Sequence, residues 1–301
     1  MQRIVSLLPS ATEIVVALDY EGWLVGRSHE CDFPSSVMHL PICSAPRIDI
    51  TANSREIDRQ VKQTASAALS IFQIDAERLR ELEPSIVITQ TQCEVCAVSL
   101  NDVKAALGSW ADEGLEIVAL HPTRLSDLWD DIRHVASALD DLAAAEKLIG
   151  SLQSRLDRLS AARPTSRLTV GCIEWLDPLM SAGNWVPELV ELAGGRSVLG
   201  KPGEHSPWLS WDELSAADPD VLIVMPCGFD LERTLQELPS LTEQSGWSQL
   251  RAVQTHRVFA VDGHHYFNRP GPRLIDSAEI IASILQAAVD GTTTDPRFRR
   301  L

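Results

Sequence analysis

Residues 125–164, LSDLWDDIRHVASALDDLAAAEKLIGSLQSRLDRLSAARP, decide the architecture of this chain. Apolar side chains recur there every three or four residues, from Leu125 to Leu159, which is the spacing of one buried helical face. The pattern predicts one long helix, or two helices that abut near Asp140, ending at Pro164. Strands and helices alternate on both sides of this segment, so the sequence predicts two lobes bridged by a helix.

The stretch before the helical segment begins as strand, turn and helix. Residues 3–8, RIVSLL, have the character of a short β-strand, and Pro9 ends this run. Ser10 and Glu13 have the spacing of a capping box, which predicts a helix with Ser10 as its N-cap. A later run, residues 85–90, does not alternate in polarity, which is typical of a parallel strand buried on both faces.

The stretch after the helical segment repeats this plan. Each half places an acidic residue and a proline between a helix and a strand, at Glu83–Pro84 and at Asp218–Pro219. The predicted fold class is therefore α/β, with two Rossmann-like lobes bridged by a long α-helix. The predicted boundaries are 1–122 for the N-terminal α/β lobe, 123–164 for the bridging helical segment, 165–290 for the C-terminal α/β lobe and 291–301 for a polar tail.

The composition is that of a folded globular protein, with 45% hydrophobic and 23% charged residues among 301. Its 26 Lys and Arg residues against 42 Asp and Glu residues give a formal net charge of −16. This charge argues against nucleic acid or an anionic membrane as the main partner. We also expect a protein that is not membrane-embedded, because no apolar run approaches the roughly 20 residues that span a bilayer.

The opening residues do not have the pattern of a signal peptide, because Pro9 interrupts the first apolar run. As the sequence stands, we expect a cytoplasmic protein, or a periplasmic or cell-surface one if the N-terminus was trimmed. Without a secretion signal, free thiols in a reducing compartment are the expected state of the cysteines. These are Cys31, Cys43, Cys93, Cys96, Cys172 and Cys227.

Two loops carry side chains that could bind a metal. His29 and Cys31 follow one predicted strand, and Cys93 and Cys96 follow another, so both loops are expected at one sheet edge. Imidazole and thiolate are the ligands of zinc and other soft metals. The alternative is that these are half-buried thiols that pack a loop.

Tryptophans are frequent on the predicted strand-end loops. Trp175, Trp185 and Trp208 lie there, and Tyr266 and Arg269 follow the last predicted strand. Aromatic side chains in such positions suit a large, flat, partly apolar ligand. Packing between the lobes is the alternative for each single tryptophan.

Motifs of common enzyme classes do not have their structural context here. Residues 195–201 match the spacing of a phosphate-binding loop, but Pro202 follows where Ser or Thr would hold magnesium. No nucleophile elbow, zincin helix or dinucleotide-binding turn is present in the sequence. We therefore expect no enzyme and no catalytic cofactor.

Several motifs carry a family resemblance. SLLPSATE at 6–13 and VGRSHECDFP at 25–34 resemble the opening of the cobalamin-binding branch of the helical-backbone substrate-binding proteins of ABC transporters. PWLSWDE at 207–213, DPDVLIV at 218–224 and YFNRPGPR at 266–273 resemble the same family in the same order. The resemblance covers nearly the whole chain and implies two α/β lobes bridged by a long helix.

The resemblance implies a ligand in the cleft between the lobes, either a cobalamin-like corrinoid or an iron chelate such as a siderophore or haem. Pro9 and Ser10 would lie on the first loop, His29 near an aromatic position of the corrin pocket, and Trp208 and Arg269 at a pocket Trp and Arg. With the strand-end loops, the predicted ligand-binding residues are Pro9, Ser10, His29, Glu30, Cys31, Gln92, Cys93, Trp175, Trp185, Trp208, Tyr266 and Arg269.

The resemblance also implies an ABC permease as partner. Glu77 and Glu213 each lie in a helix that leads to a strand, near the two surface carboxylates with which the family docks onto permease arginines. The alternative for both is an acid on a solvated helix face.

The missing signal peptide and the cysteine loops depart from the family pattern. A cytosolic relative could store, sense or hand over a corrinoid, with a His or Cys as cobalt ligand. The second hypothesis is a metal-handling or redox protein, or an enzyme, that uses His29, Cys31, Cys93 and Cys96, with Glu30 as acid and base. The third is a partner-recognition module that binds neither ligand nor metal.

Overall fold

The computed structural model describes residues 2–67, 69–91, 98–108, 114–162, 167–291 and 295–301. The chain divides into two compact units by its internal contacts. Unit 1 comprises Met1–Ala52, Arg59–Pro122 and Ser126–Ser151, and unit 2 comprises Asn53–Asp58, Thr123–Leu125 and Leu152–Leu301.

Unit 1 is built on a parallel sheet of four strands in the order β2-β1-β5-β6. A separate antiparallel pair, β3 and β4, lies outside it. The strands are β1 (Ile4–Ser6), β2 (Leu24–Arg27), β3 (Ser44–Pro46), β4 (Phe72–Ile74), β5 (Ile86–Gln90) and β6 (Glu116–Leu120). The helices of this part of the chain are α1 (Pro9–Ala17), α2 (Ser54–Ser66), α3 (Ala76–Leu82), α4 (Leu100–Leu107) and α5 (Asp127–Ala138). The first residues of α2 belong to unit 2.

Helix α1 begins earlier than the capping-box pattern predicts. Leu8 is the N-cap, in an extended conformation, and Pro9 is the first helical residue. Proline suits this position because its fixed φ is helical and its missing N–H has no partner there anyway. Ser10 is therefore inside the first turn and buried, so its predicted role as N-cap is wrong.

The helical segment consists of two helices rather than one. Helix α5 ends at Ala138 and helix α6 (Leu142–Ala161) follows. Between them Asp140 adopts a left-handed φ of 59°, and the carboxylate of Asp141 accepts a hydrogen bond from the backbone of Ala144 in the first turn of α6. The break predicted near Asp140 is confirmed.

Unit 2 is built on a six-stranded sheet in the order β12-β11-β10-β7-β8, with β9 paired to β7. Strands β9, β7, β10 and β11 are parallel, and β8 and β12 run antiparallel to their neighbours. The strands are β7 (Thr169–Leu176), β8 (Leu179–Ser181), β9 (Arg196–Ser197), β10 (Val221–Val224), β11 (Val258–Val261) and β12 (Phe298–Arg300). The helices are α7 (Val186–Leu192), α8 (Trp211–Ala217), α9 (Leu231–Glu237), α10 (Pro239–Thr242), α11 (Arg251–Gln254) and α12 (Leu274–Asp290).

The predicted polar tail, 291–301, contains a strand. Residues 298–300 form β12, which pairs with β11 at the edge of the sheet. Phe298 is 3% exposed, and its ring centroid lies 5.6 Å from that of Phe259. Burial of the Phe298 side chain and backbone pairing with β11 order residues 298–300, although the polar composition of the tail predicts an unstructured segment.

The acidic residue and proline predicted in each half have the same geometry in the two units. Glu83 ends α3 with a left-handed φ of 42°, and Asp218 ends α8 with a left-handed φ of 35°. A proline follows each of them and cannot continue a helix, so the chain turns into β5 and into β10. The predicted α/β class is confirmed, with a mainly parallel sheet in each unit. No helix in the described part of the chain is long and apolar enough to cross a membrane.

Asp131 is a buried carboxyl group on helix α5. It accepts a hydrogen bond from the backbone of His121, but within the described residues its Oδ2 atom is buried without a partner. Burial disfavours the charged form and raises the pKa of Asp131 to about 7.

Asp131→Asn is expected to stabilise the protein at alkaline pH. The native pKa lies above the unfolded value, so the native state binds the extra proton, and the carboxyl destabilises the fold progressively as pH rises from about 4 to about 7. Above that window the penalty reaches up to about 4 kcal/mol. Urea unfolding near pH 5 and near pH 8 measures this penalty as a difference in the free energy of unfolding. Asp157→Asn, at an exposed position, is the control. Equal stability changes of the two variants at both pH values would contradict this role of Asp131.

Candidate functional site

The parallel strands of unit 2 end together at one edge of the sheet. Ile173 of β7, Val224 of β10 and Ala260 of β11 lie in register, so the loops that follow them emerge side by side. In parallel α/β sheets, ligands bind outside these carboxyl ends. We call the segments at 174–177, 225–230 and 262–269 the strand-end surface. The first includes the last residues of β7, and the last includes a π-helical turn, Gly263–Phe267.

Hydrogen bonds tie the loops of the strand-end surface to one another. The backbone N–H of His264 donates to the carbonyl of Phe229 at 3.0 Å. The side-chain amide of Asn268 donates to the carbonyls of Met225 at 3.1 Å and of Gly263 at 2.8 Å. The first two of these bonds connect the segments at 225–230 and 262–269 to each other.

Two aromatic side chains pack together at this surface, the half-buried Trp175 and Phe229, which is 1% exposed. The ring centroids of Trp175 and Phe229 lie 5.3 Å apart. The guanidinium of Arg233 lies 3.8 Å from the centroid of the Phe229 ring. Trp208 belongs to a neighbouring segment that forms a bridge with Met180 of β8. It is 57% exposed, which is unusual for so large an apolar side chain.

Trp185 has a different environment from the other two predicted tryptophans. It is 5% exposed, and its indole N–H donates to the carbonyl of Phe267 at 2.9 Å. A buried and hydrogen-bonded indole packs the core of unit 2, so the structure does not support the predicted ligand contact of Trp185.

The loop after β11 carries the polar groups of the strand-end surface. Asp262 accepts a hydrogen bond from the backbone of His265 at 2.7 Å, and its second oxygen lies 2.7 Å from Nδ1 of the same residue. Burial alone would raise the pKa of Asp262, but the hydrogen bonds from His265 outweigh it and hold that pKa below its usual value. Sequence reasoning missed this pair, for which the Asp-x-x-His spacing after a strand was the available signal.

The two predicted residues of this loop are less open than expected. Arg269 is 5% exposed, and its Nη2 atom lies 2.6 Å from Nε2 of His264. Tyr266 is half-buried, with the guanidinium of Arg273 lying 5.6 Å from its ring centroid. Arg269 is therefore buried within this segment, where its guanidinium contacts the ring of His264.

Cys31 is fully buried in unit 1 among hydroxyl groups. The hydroxyl of Thr12 donates to its sulfur at 3.0 Å, and the hydroxyl of Ser28 lies 3.3 Å from the same atom. The hydroxyl of Thr12 also lies 2.8 Å from that of Ser6. This thiol packs within the loop after β2.

His29 is held in a neutral state in unit 1. Its Nδ1 atom lies 2.9 Å from the hydroxyl of Ser44, and its ring centroid lies 5.5 Å from that of Phe72. Burial lowers the pKa of His29 to about 4, and the charge of Arg27 lowers it further in the same direction.

The predicted metal site stays a prediction, because two of its four ligands, Cys93 and Cys96, lie outside the described residues. Among the described residues of unit 1, no three His, Cys, Asp or Glu ligand atoms lie within 4.8 Å of one another. Gln92 also lies outside the described residues. Of the other predicted residues there, Pro9 and Ser10 open helix α1, and the backbone N–H of Glu30 donates to the hydroxyl of Ser28. Cys31, Cys43, Cys172 and Cys227, the cysteines that the structure describes, are not disulfide-bonded.

The two predicted docking acids occupy different positions in their helices. Glu77 is the second residue of α3 and is exposed. Glu213 is the third residue of α8, and its carboxylate accepts hydrogen bonds from the backbone and the hydroxyl of Ser210, both at 2.7 Å. The residue that corresponds to Glu77 in α8 is Asp212, which is also exposed.

Two α/β units with mainly parallel sheets, one of them ending in an aromatic strand-end surface, define a ligand-binding protein. The chain belongs to the periplasmic binding protein family, whose profile matches residues 4–264. The family recognised from the motifs is thereby confirmed, and it consists of substrate-binding proteins of ABC transport.

Relatives of this chain include proteins named for vitamin B12 and for haem. A vitamin B12-binding protein of Vibrio cholerae is 22% identical over 290 residues, covering 95% of this chain and 90% of that protein. The crystal structure of the periplasmic vitamin B12-binding protein BtuF of Vibrio cholerae has a TM-score of 0.65 and 21% identity, with 96% and 98% coverage. That of a periplasmic haem-binding protein from Pseudomonas aeruginosa has a TM-score of 0.71 and 21% identity, with 99% and 97% coverage.

Proposed function

We propose that this chain binds a cobalamin-like corrinoid, without catalysis, and delivers it to an ABC permease. The observation that carries the proposal is Trp208, which is 57% exposed beside the strand-end surface. The cytoplasmic location of the protein stays a prediction. Delivery to a permease fits a location at the cell envelope.

The chemistry of the strand-end surface suits a large ring system. Flat ligands are held by aromatic faces, with a few placed polar groups that set their orientation. The half-buried Trp175 and the exposed Trp208 supply the aromatic faces, and the hydrogen-bonded segment at 262–269 supplies the polar groups. The relatives named for vitamin B12 support a corrinoid as the first ligand to test.

Haem is the second candidate ligand. The observation that favours it is the guanidinium of Arg233 over the ring of Phe229, because guanidinium groups pair well with carboxylates such as the propionates of haem. The relative named for haem supports the same possibility.

Trp208→Ala is expected to weaken corrinoid binding about tenfold or more, because a tenfold change corresponds to roughly 1.4 kcal/mol, which the loss of one large aromatic contact exceeds. Titration with cyanocobalamin, and separately with haemin, followed by tryptophan fluorescence measures the dissociation constant. Trp23→Ala is the control, because Trp23 precedes β2 and so lies at the amino end of its strand. Unchanged cyanocobalamin affinity in Trp208→Ala would contradict the proposed contact.

Docking to the permease is proposed to use one acid from each of the matching helices α3 and α8. Glu77 and Asp212 are both exposed second residues of seven-residue helices. Glu213, the acid predicted from the sequence, is engaged in the capping box with Ser210. Capping and docking by the same carboxylate would compete, so Asp212 is the better candidate in α8.

Glu77→Gln and Asp212→Asn are expected to reduce uptake several-fold without changing cyanocobalamin affinity of the purified protein. Loss of a charge that pairs with a permease arginine weakens docking but leaves the ligand surface intact. Accumulation of labelled cyanocobalamin is measured in the source organism, with each variant in place of its own copy. Glu213→Gln is the matched comparison. Normal uptake in Asp212→Asn with reduced uptake in Glu213→Gln would return the docking role to Glu213.

A further inference from the structure

Trp208 lies in a segment that has a single buried residue, Ser206. Of residues 201–210, all of which the structure describes, the others are exposed or half-buried, whereas Ser206 is 4% exposed. We call these residues the Trp208 segment. A stretch with so little buried surface depends on a few polar contacts for its conformation, so the contacts of Ser206 affect the position of Trp208, two residues further on.

The hydroxyl of Ser206 connects the Trp208 segment to two other parts of unit 2. It donates to Oε2 of Glu174 at 2.9 Å, and it accepts from the backbone N–H of Gly183 at 3.0 Å. The hydroxyl thus uses its hydrogen and a lone pair, and a bond to a carboxylate is stronger than one between neutral groups. Because Glu174 belongs to the strand-end surface, Ser206 connects that surface to the Trp208 segment.

Backbone contacts hold the Trp208 segment against the end of β8 and the residues after it. The backbone N–H of Ser181 donates to the carbonyl of Pro207 at 3.0 Å. A Cβ atom on Gly183 would lie 2.5 Å from the carbonyl oxygen of Glu204 and 2.7 Å from the backbone nitrogen of Ser206. This close approach of two backbone segments therefore needs glycine at position 183.

We propose that Ser206 is a positioning residue for ligand binding, which holds Trp208 beside the strand-end surface through Glu174 and Gly183. This inference rests on the proposed function, because it concerns the contact between Trp208 and the ligand. Ser206 is buried, so it acts through Trp208 and not on the ligand itself. A tryptophan that the fold holds in place loses less conformational freedom on binding than one that the ligand must order.

Ser206→Ala is expected to weaken cyanocobalamin binding about three- to tenfold, which is the effect of ordering one further side chain on binding. Equilibrium dialysis measures the dissociation constant without relying on tryptophan emission. Ser197→Ala is the matched control, with affinity expected within about twofold of wild type. The hydroxyl of Ser197 also donates a hydrogen bond, to the carbonyl of Leu199 at 3.1 Å, but Ser197 pairs with the start of β7, away from the strand ends.

A double-mutant cycle separates positioning from a general loss of stability. In a Trp208→Ala background, Ser206→Ala is expected to change cyanocobalamin affinity less than about twofold, because the contact that Ser206 positions is then absent. An equal loss of affinity with and without Trp208 would show a purely structural role and overturn the proposal. Wild-type affinity in the single variant Ser206→Ala would overturn it as well.

Glu174→Gln tests the same connection if Ser206→Ala does not fold. Glutamine keeps an oxygen that can accept from Ser206 but removes the charge, so a smaller loss of affinity, about two- to threefold, is expected. This loss should also disappear in the Trp208→Ala background. A loss that is the same in both backgrounds would contradict positioning through Ser206.

A wild-type protein that does not bind cyanocobalamin would refute the proposed function, and positioning by Ser206 is then measured without ligand. Hydrogen exchange followed by NMR is expected to be faster at the backbone amides of Gly183 and Ser181 in Ser206→Ala than in wild type. Unchanged exchange at both amides would show that the hydroxyl of Ser206 does not hold the Trp208 segment.

Discussion

The parallel pairing of β7, β10 and β11 is the constraint on which the candidate site depends. It brings three chain segments that are far apart in sequence to one edge of the sheet, in register at Ile173, Val224 and Ala260. Backbone and amide hydrogen bonds then connect the loops, so that aromatic and polar side chains share a single surface.

Much of the fold could be predicted because local chemistry and tertiary structure agree. Apolar runs without alternation marked the buried parallel strands, and the acid–proline pairs at 83–84 and 218–219 marked where helices turn into strands. The predictions failed where a neighbour outweighed the local pattern. Pro9 starts helix α1 ahead of Ser10, and pairing with β11 orders Phe298 in a stretch of polar composition.

The candidate site was harder to predict, since exposure and hydrogen bonding of a side chain depend on tertiary contacts. Trp208 and Trp185 are the same residue type on predicted loops, yet one is 57% and the other 5% exposed. His29 and His265 both follow parallel strands, yet only His265 is held by a carboxylate. Family resemblance pointed to the strand-end segments, but it could not decide which side chains on them are exposed.

Hydrogen exchange with and without aquocobalamin tests most directly whether the strand-end surface binds the ligand. Bound ligand is expected to slow exchange of backbone amides in the loops at 225–230 and 262–269, while exchange in helix α12 stays unchanged. Saturable binding with no added protection in either loop would contradict the assignment of the ligand to this surface.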